Sequence, residues 1–282
     1  MKKFKLSEKQ KALILNIISI FILMLIAFPL YWMLVNSLKW KADIFKSPPS
    51  LYPDPISFDA YYRQLTGIDY NVGRAFMNSM VIATCTMVLA VILSIPAAYG
   101  LARYKFKARK AFIFGFLVTQ MLPTVFTLIP LFILFKNIGV YNTFLAPILA
   151  DATIGIPFSV LILRTYFVTI PKELDDAANI DGCNSLTAFL RIMVPIASPG
   201  IIVAAVFSFL FAWGDMTNGL TYINNQDLWP ITTALYNFIG RYGIEWDKTM
   251  AFGILSILPV VVIFITMQKY IISGLTNGAV KG

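Results

Sequence analysis

Histidine is absent from the 282 residues, which removes the commonest metal ligand and the commonest general base. Cysteine occurs only at Cys85, inside an apolar run, and at Cys183, in a polar segment. A disulfide framework is therefore not expected. No glycine is followed by lysine, so there is no G-x4-G-K-[ST] phosphate loop. Charge is scarce as well: 13% of residues are charged and 58% hydrophobic, with a mean hydropathy of +0.74, whereas soluble domains carry about 25% charge. These numbers exclude disorder, coiled coil and a collagen-like fibre. Like-charge runs, low-complexity tracts and convincing internal repeats are missing too. Polar residues are too few to cover a water-facing surface, so most of the surface faces lipid.

What is present is a series of long uncharged stretches. Residues 12–38, 75–102, 111–135, 192–214 and 249–268 contain no charge, and 137–163 contains one, Asp151. A helix crosses the hydrocarbon core with about 20 apolar residues, which all six stretches supply. They do not alternate, so a barrel is excluded, and backbone groups in lipid must pair within the segment, which forces helix. The expectation is an all-α membrane protein with six transmembrane helices, near 12–36, 76–101, 111–135, 143–163, 196–216 and 249–270. Pro29, Pro96, Pro123, Pro130, Pro157 and Pro259 fall inside these spans and are expected to kink them. Lys2, Lys3 and Lys5 precede the first span, as in a signal peptide. Its apolar run is too long for that, and no small-residue cleavage site closes it. The division is then a tail 1–11, a membrane domain 12–273 and a second tail 274–282.

Lysine and arginine positions set the orientation. With the N-terminus inside, 15 of the 23 cations lie on inner segments, and the turn from Arg103 to Lys110 holds five with no acid. Both termini are therefore expected in the cytoplasm. The net charge of +9 sets topology and meets anionic lipid, and nucleic-acid binding is not needed to explain it. On the outside, residues 36–74 start with Pro48, Pro49, Pro53 and Pro55, which favours an extended chain before a short helix at FDAYYRQL. Residues 215–248 read as a contact loop, with Gly219, Asn224, Asn225 and Gly240 for turns and Tyr222, Trp229 and Tyr236 for contact area.

The inner loop 164–195 is the most informative segment. Pro171 suits a first helical turn, and Glu173, Asp175 and Asp176 lie near the positive end of the dipole. The helix should run over about 172–180 and stop at Gly182. Ser185 is a candidate cap for a second helix over about 186–193, ended by Pro195. Leu174, Ala177 and Ala178 share a face. Such a small-faced helix is either a docking element or a plain interfacial helix.

Asp176-Ala177-Ala178, Gly182, Ile192 and Pro195 resemble the E-A-A-x3-G-x9-I-x-L-P motif of bacterial ABC importer permeases, with Asp176 for Glu and Val194 for Leu. The wider pattern P-x-E-L-x-x-A-A-x-I-D-G, with Glu173 and Asp181, is similar to the carbohydrate-uptake branch. Asn78-Ser79, AAYGLARYKF at 97–106, Trp213-Gly214-Asp215 and GLTNGAVKG at 274–282 extend the likeness. It covers nearly the whole chain and is closest to the smaller maltose-type permease subunit.

The resemblance implies the type I importer permease architecture in the bacterial inner (cytoplasmic) membrane. It implies a second homologous permease, two copies of a cytoplasmic ABC ATPase, an extracytoplasmic solute-binding protein and a sugar substrate. No catalytic or metal-binding residue and no cofactor is expected on this chain; ATP and Mg belong to the partner ATPases. The ATPase-coupling residues would be Glu173, Asp176, Ala177, Ala178, Asp181, Gly182, Ile192 and Pro195. A second ATPase contact would involve Gly274, Gly278 and Lys281 on an extended tail.

Asp151 lies in mid-span, where an ionised group costs at least about 2.5 kcal/mol. It either lines a substrate path or makes a helix-packing contact. Trp213 and Asp215 either meet a sugar, by stacking and hydrogen bonding, or belong to an interfacial belt. The rival function is an ion-coupled secondary transporter using Asp151, but that class shows paired intramembrane charges and inverted repeats. A channel lacks its filter here, and a membrane enzyme lacks its acid, base and nucleophile.

Overall fold

A computed structural model describes residues 7–68, 70–240 and 243–279. The fold is almost entirely helical: α1 (Glu8–Ser37), α2 (Lys41–Ile44), α3 (Asp59–Leu65), α4 (Val72–Arg103), α5 (Arg109–Met121), α6 (Val125–Asn137) and α7 (Leu145–Thr169). These are followed by α8 (Glu173–Ile180), α9 (Ser185–Ala188), α10 (Val194–Ile196), α11 (Ser198–Gly214), α12 (Thr217–Tyr222), α13 (Ile231–Ala234) and α14 (Trp246–Ala279). Antiparallel strands β1 (Ile239–Gly240) and β2 (Gly243–Ile244) make a two-residue ladder. Four helices, α1, α4, α7 and α14, are long and apolar enough to cross a membrane, and two bent pairs bring the total to as many as six.

The first bent pair corrects the expectation of a continuous span over 111–135, whereas the second falls where the loop helix was expected to give way to the span near 196–216. α5 and α6 meet at 102° around Leu122–Thr124. Pro123 has no amide proton and pushes the preceding Leu122 into an extended conformation (φ −77°, ψ 127°), which ends α5. The 185–196 segment meets α11 at 73° across Ala197. By contrast Pro29, Pro96, Pro130, Pro157 and Pro259 stay inside continuous helices. The last helix also differs from expectation: α14 carries on through Ala279, so 274–279 is helical rather than extended. Each glycine there costs only about 1 kcal/mol in a helix, and no proline follows to stop it.

The chain divides into two compact units. The first comprises the described residues up to 71 together with 237–255. Ser7 opens α1 with a capping box shared with Gln10, and most of α1 is exposed apolar side chain, as lipid contact requires. Below it, the Tyr61 and Ser37 hydroxyls share a hydrogen bond of 2.7 Å, and Lys39 Nζ donates to Ser50 O at 2.7 Å beneath the Trp32 ring. Gln64 donates to Lys248 O at 2.8 Å, tying α3 to the start of α14.

The second unit comprises 72–236 and 256 onward. Its centre is α4, α7 and α11 packed on one another. Small residues set the approach: Ala75, Ala83, Ala90 and Ala98 recur along one face of α4 and are fully buried. Gly155 of α7 faces Ala90 and Ser208, leaving room for little more than a methyl group. Ser159 and Ser208 hydroxyls lie 3.2 Å apart, and Ser94 donates to Ile156 O at 3.2 Å. Without a hydrophobic drive between helices in lipid, such close backbone packing and polar pairing hold a bundle together.

Candidate functional site

α7 ends when Ile170 turns extended ahead of Pro171. Lys172 O then accepts from the Asp175 and Asp176 amides at 2.9 and 3.2 Å and starts α8. The helix closes as expected at Gly182, whose φ of +79° lets the Cys183 amide return to Ala178 O at 2.9 Å. The cap of α9 is Asn184, not Ser185: Asn184 Oδ1 accepts from the Thr187 amide at 2.8 Å. Asn has the extended backbone an N-cap needs, while Ser185 is already helical. Nor does Pro195 stop the helix. A wide π turn at Phe189–Met193 precedes it, and Pro195 sits in the first turn of α10, where its missing amide is harmless.

Glu173, Asp176, Ala177, Asp181 and Gly182 lie together on the exposed side of α8 and its closing turn. Ala178 faces inward, 1% exposed, so the small-residue face is shared between solvent and the bundle. Ile192 is half-buried and Pro195 exposed. Around them Ile180, Leu186 and Leu190 are 86%, 64% and 54% exposed, an apolar rim that the motif does not mark.

What holds α8 in place is Arg103, at the end of α4. Its Nε lies 3.2 Å from Asp175 Oδ2, and the arginine side chain is 7% exposed. Its Nη2 also reaches Met193 Sδ at 3.7 Å. The pair borders a cavity of about 230 Å³ lined by Tyr99, Tyr104, Ser185 and Ala188. Tyr99 packs on Phe189 and Phe167 at 4.8 and 5.5 Å, so α4, α7 and the π turn meet at one ring. Arg103 was visible in the sequence only as part of AAYGLARYKF, with no sign of its partner.

The other expected site residues sit elsewhere. Asp151 is 1% exposed and accepts from Asn218 Nδ2 at 2.7 Å; this is the packing contact, and it offers no free face to a sugar. Trp213 is 2% exposed, donates to Ser256 O at 3.1 Å, and is enclosed by Phe76 and Phe209. Asp215 is half-buried and accepts from the Asn218 amide at 2.7 Å, capping α12. Enclosure of the first two within their own chain corrects the expectation that they line a path. Gly274 and Gly278 fall on helical α14, and Lys281 lies outside the described residues.

Residues 215–236 form no open loop. Asn78 donates to the Asp227 and Trp229 carbonyls at 2.8 and 3.0 Å, Ser79 accepts from the Ile231 amide at 2.7 Å, and Arg74 pairs with Asp227. Asn142, at φ 62°, accepts from the Asn224 and Asn225 amides. Gly219 is a close-packing residue, not a turn residue: a Cβ there would lie 2.0 Å from Thr233 Oγ1. Tyr222 and Trp229 are buried, so the contact area expected of them is internal, whereas Tyr236 is half-exposed. Burial, with neighbouring Asp215 and Asp151, pushes the Tyr222 hydroxyl up to about 12, and it donates to Leu128 O at 3.2 Å. The one exposed run longer than a single residue is 224–227.

Residues 90–277 match the family described as binding-protein-dependent transport system inner membrane component. The chain belongs to that family. This permease is 33% identical to the probable ABC transporter permease YurM of Bacillus subtilis over 92% of this chain and 85% of that one. It is 30% identical to the diacetylchitobiose uptake system permease DasC of Streptomyces coelicolor, over 95% and 96%. In fold it matches a crystallised bacterial ABC transporter involved in alginate import, with a TM-score of 0.79, covering 96% of this chain and 99% of that one at 18% identity. The permease is thus a multi-pass component of the inner membrane.

Proposed function

We propose that this permease is one of two homologous membrane subunits of an ATP-driven importer for a sugar or oligosaccharide. A binding protein delivers the substrate from outside, and two cytoplasmic ATPases, which carry ATP and Mg, drive transport. The observation that carries the coupling is α8: exposed, acidic and small-faced at Asp176 and Ala177, and joined to the bundle by Arg103 and Asp175. A helix that docks into an ATPase must be free outward and fixed inward, which is this arrangement. ATPase closure would push α8 and, through Arg103, α4, shifting the bundle between two packings. The diacetylchitobiose relative supports a saccharide substrate.

We read each bent pair as one span, which with the four long helices gives six crossings, and place both termini inside, a reading that the cation distribution supports. The expected coupling residues remain Glu173, Asp176, Ala177, Ala178, Asp181, Gly182, Ile192 and Pro195, with a tail contact at Gly274, Gly278 and Lys281. The test is uptake of radiolabelled oligosaccharide into proteoliposomes holding both permeases and the ATPase, with binding protein outside. Uptake should need internal ATP and persist without ion gradients. Uptake driven by a proton or sodium gradient alone would make the chain a secondary transporter.

A further inference from the structure

α5 and α7 pack antiparallel, with Gln120 Nε2 donating to Ile154 O at 3.2 Å. Eleven residues earlier on α5 and ten later on α7 stand Arg109 and Arg164. They are close enough that Arg109 acts on Arg164 as a like charge, and neither forms an ion pair among the described residues. The Arg164 Nε is buried and makes no hydrogen bond. Two arginines at the same end of a packed helix pair, with no acid paired to either among the described residues, are a costly arrangement unless an anion sits by them. Exposed Lys105, Lys107 and Lys110 add to the same positive field.

From this cationic end an apolar groove of about 520 Å³ runs along α5, lined by Ala108, Ala111, Phe112, Gly115, Phe116 and Thr119. Those positions follow one another at helical spacing, so they form a single stripe roughly 16 Å long. Its lining combines small residues with two phenylalanines. An anion site continuing into an apolar stripe about one leaflet deep matches a phosphate headgroup and its acyl chain.

We propose that this face binds one anionic phospholipid of the cytoplasmic leaflet, its phosphate between Arg109 and Arg164 and an acyl chain along Ala111 and Gly115. The inference rests on the reading that the turn from Arg103 to Lys110 faces the cytoplasm. It fits the attraction of basic juxtamembrane segments to anionic lipid.

Native mass spectrometry of the full-length chain in detergent tests it, using equal additions of phosphatidylglycerol and phosphatidylcholine. Phosphatidylglycerol should be retained preferentially, and Arg109→Gln and Arg164→Gln should each lower that preference about fivefold, while Arg109→Lys largely keeps it. Gly115→Leu, which has open space for its side chain, should displace the lipid without lowering the melting temperature. Equal retention of the two lipids, or a preference unmoved by both glutamine variants, would overturn the site. So would full competition by inorganic phosphate combined with no effect of Gly115→Leu, since that describes an anion site without a chain groove. The readout needs no ATPase or transport, so its failure leaves the importer reading standing, and the reverse also holds.

Discussion

Arg103, the last residue of α4, and Asp175, in the first turn of α8, form an ion pair of 3.2 Å in which the guanidinium is almost wholly buried. It joins the longest helix of the bundle core to α8, the element proposed to dock on the ATPase. Arg103→Met should destabilise the coupling loop, because it leaves the part-buried Asp175 carboxylate without its opposite charge. ATP hydrolysis should then persist while sugar uptake falls. The exchange Arg103→Asp with Asp175→Arg should recover part of the uptake. If Arg103→Met transports normally, α8 is held by its apolar contacts alone.

Gly182 tests the closing turn of α8 separately from the ion pair. Its φ of +79° costs an L side chain about 1–2 kcal/mol, yet nothing lies within 4 Å of a Cβ placed there. Gly182→Val should therefore misdirect α8 by backbone strain, without any clash. The protein should reach the membrane in normal amounts with binding-protein-stimulated ATPase activity lost. Normal stimulation in this variant would remove the turn from the coupling mechanism.

The legible parts of the fold were those written in local chemistry. Long uncharged stretches located the apolar helices, and the Pro171 to Gly182 spacing located α8 almost to the residue. The break at Leu122 was not legible, because most other span prolines, such as Pro96 and Pro157, sit in unbroken helices. Whether a proline breaks a helix depends on what packs around the freed carbonyl. Trp213 and Asp151 misled for a related reason. Their chemistry suits a sugar, but their partners, Ser256 and Asn218, lie 43 and 67 residues away, and no spacing rule reaches that far.

Asp151 separates the two transport classes. If its role is to accept from Asn218, Asp151→Asn should keep the shape and most of the uptake. Asp151→Leu leaves the Asn218 amide unpaired at a cost of about 1–3 kcal/mol, and expression should drop. An ion-coupled mechanism predicts instead that Asp151→Asn abolishes transport while folding normally. Uptake by that variant in ATP-loaded vesicles decides between them.

Gly200 carries the most crowded contact in the bundle core. A Cβ on it would lie 2.5 Å from Tyr166 Cγ and 2.6 Å from its Cδ2. Gly200→Ala should cost about 1–3 kcal/mol by overpacking, read as a lower melting temperature in detergent. Tyr166→Leu in the same chain should return part of the loss. If Gly200→Ala melts like the wild type, α7 and α11 are free to slide apart at this crossing.

The outer segment offers the last test. Its backbone is fastened at both ends, by Asn142 on one side and by Asn78 and Ser79 on the other. Between these fastenings only 224–227 is fully exposed. A mere connector would not need such anchoring, whereas a short tip that meets a docked protein must be held in a fixed place. Deleting 224–227 should therefore weaken stimulation of the ATPase by loaded binding protein, while basal hydrolysis and assembly stay intact. Asn142→Ala should act in the same direction more mildly, by loosening the Asn224 and Asn225 amides that its side chain accepts from. Because Asn142→Ala leaves the chain length and the Asn78 and Arg74 contacts in place, a loss of stimulation shared by both variants points to the tip itself. If stimulation is unchanged in the deletion, the binding protein docks elsewhere, and the half-exposed Tyr236 becomes the next residue to alter.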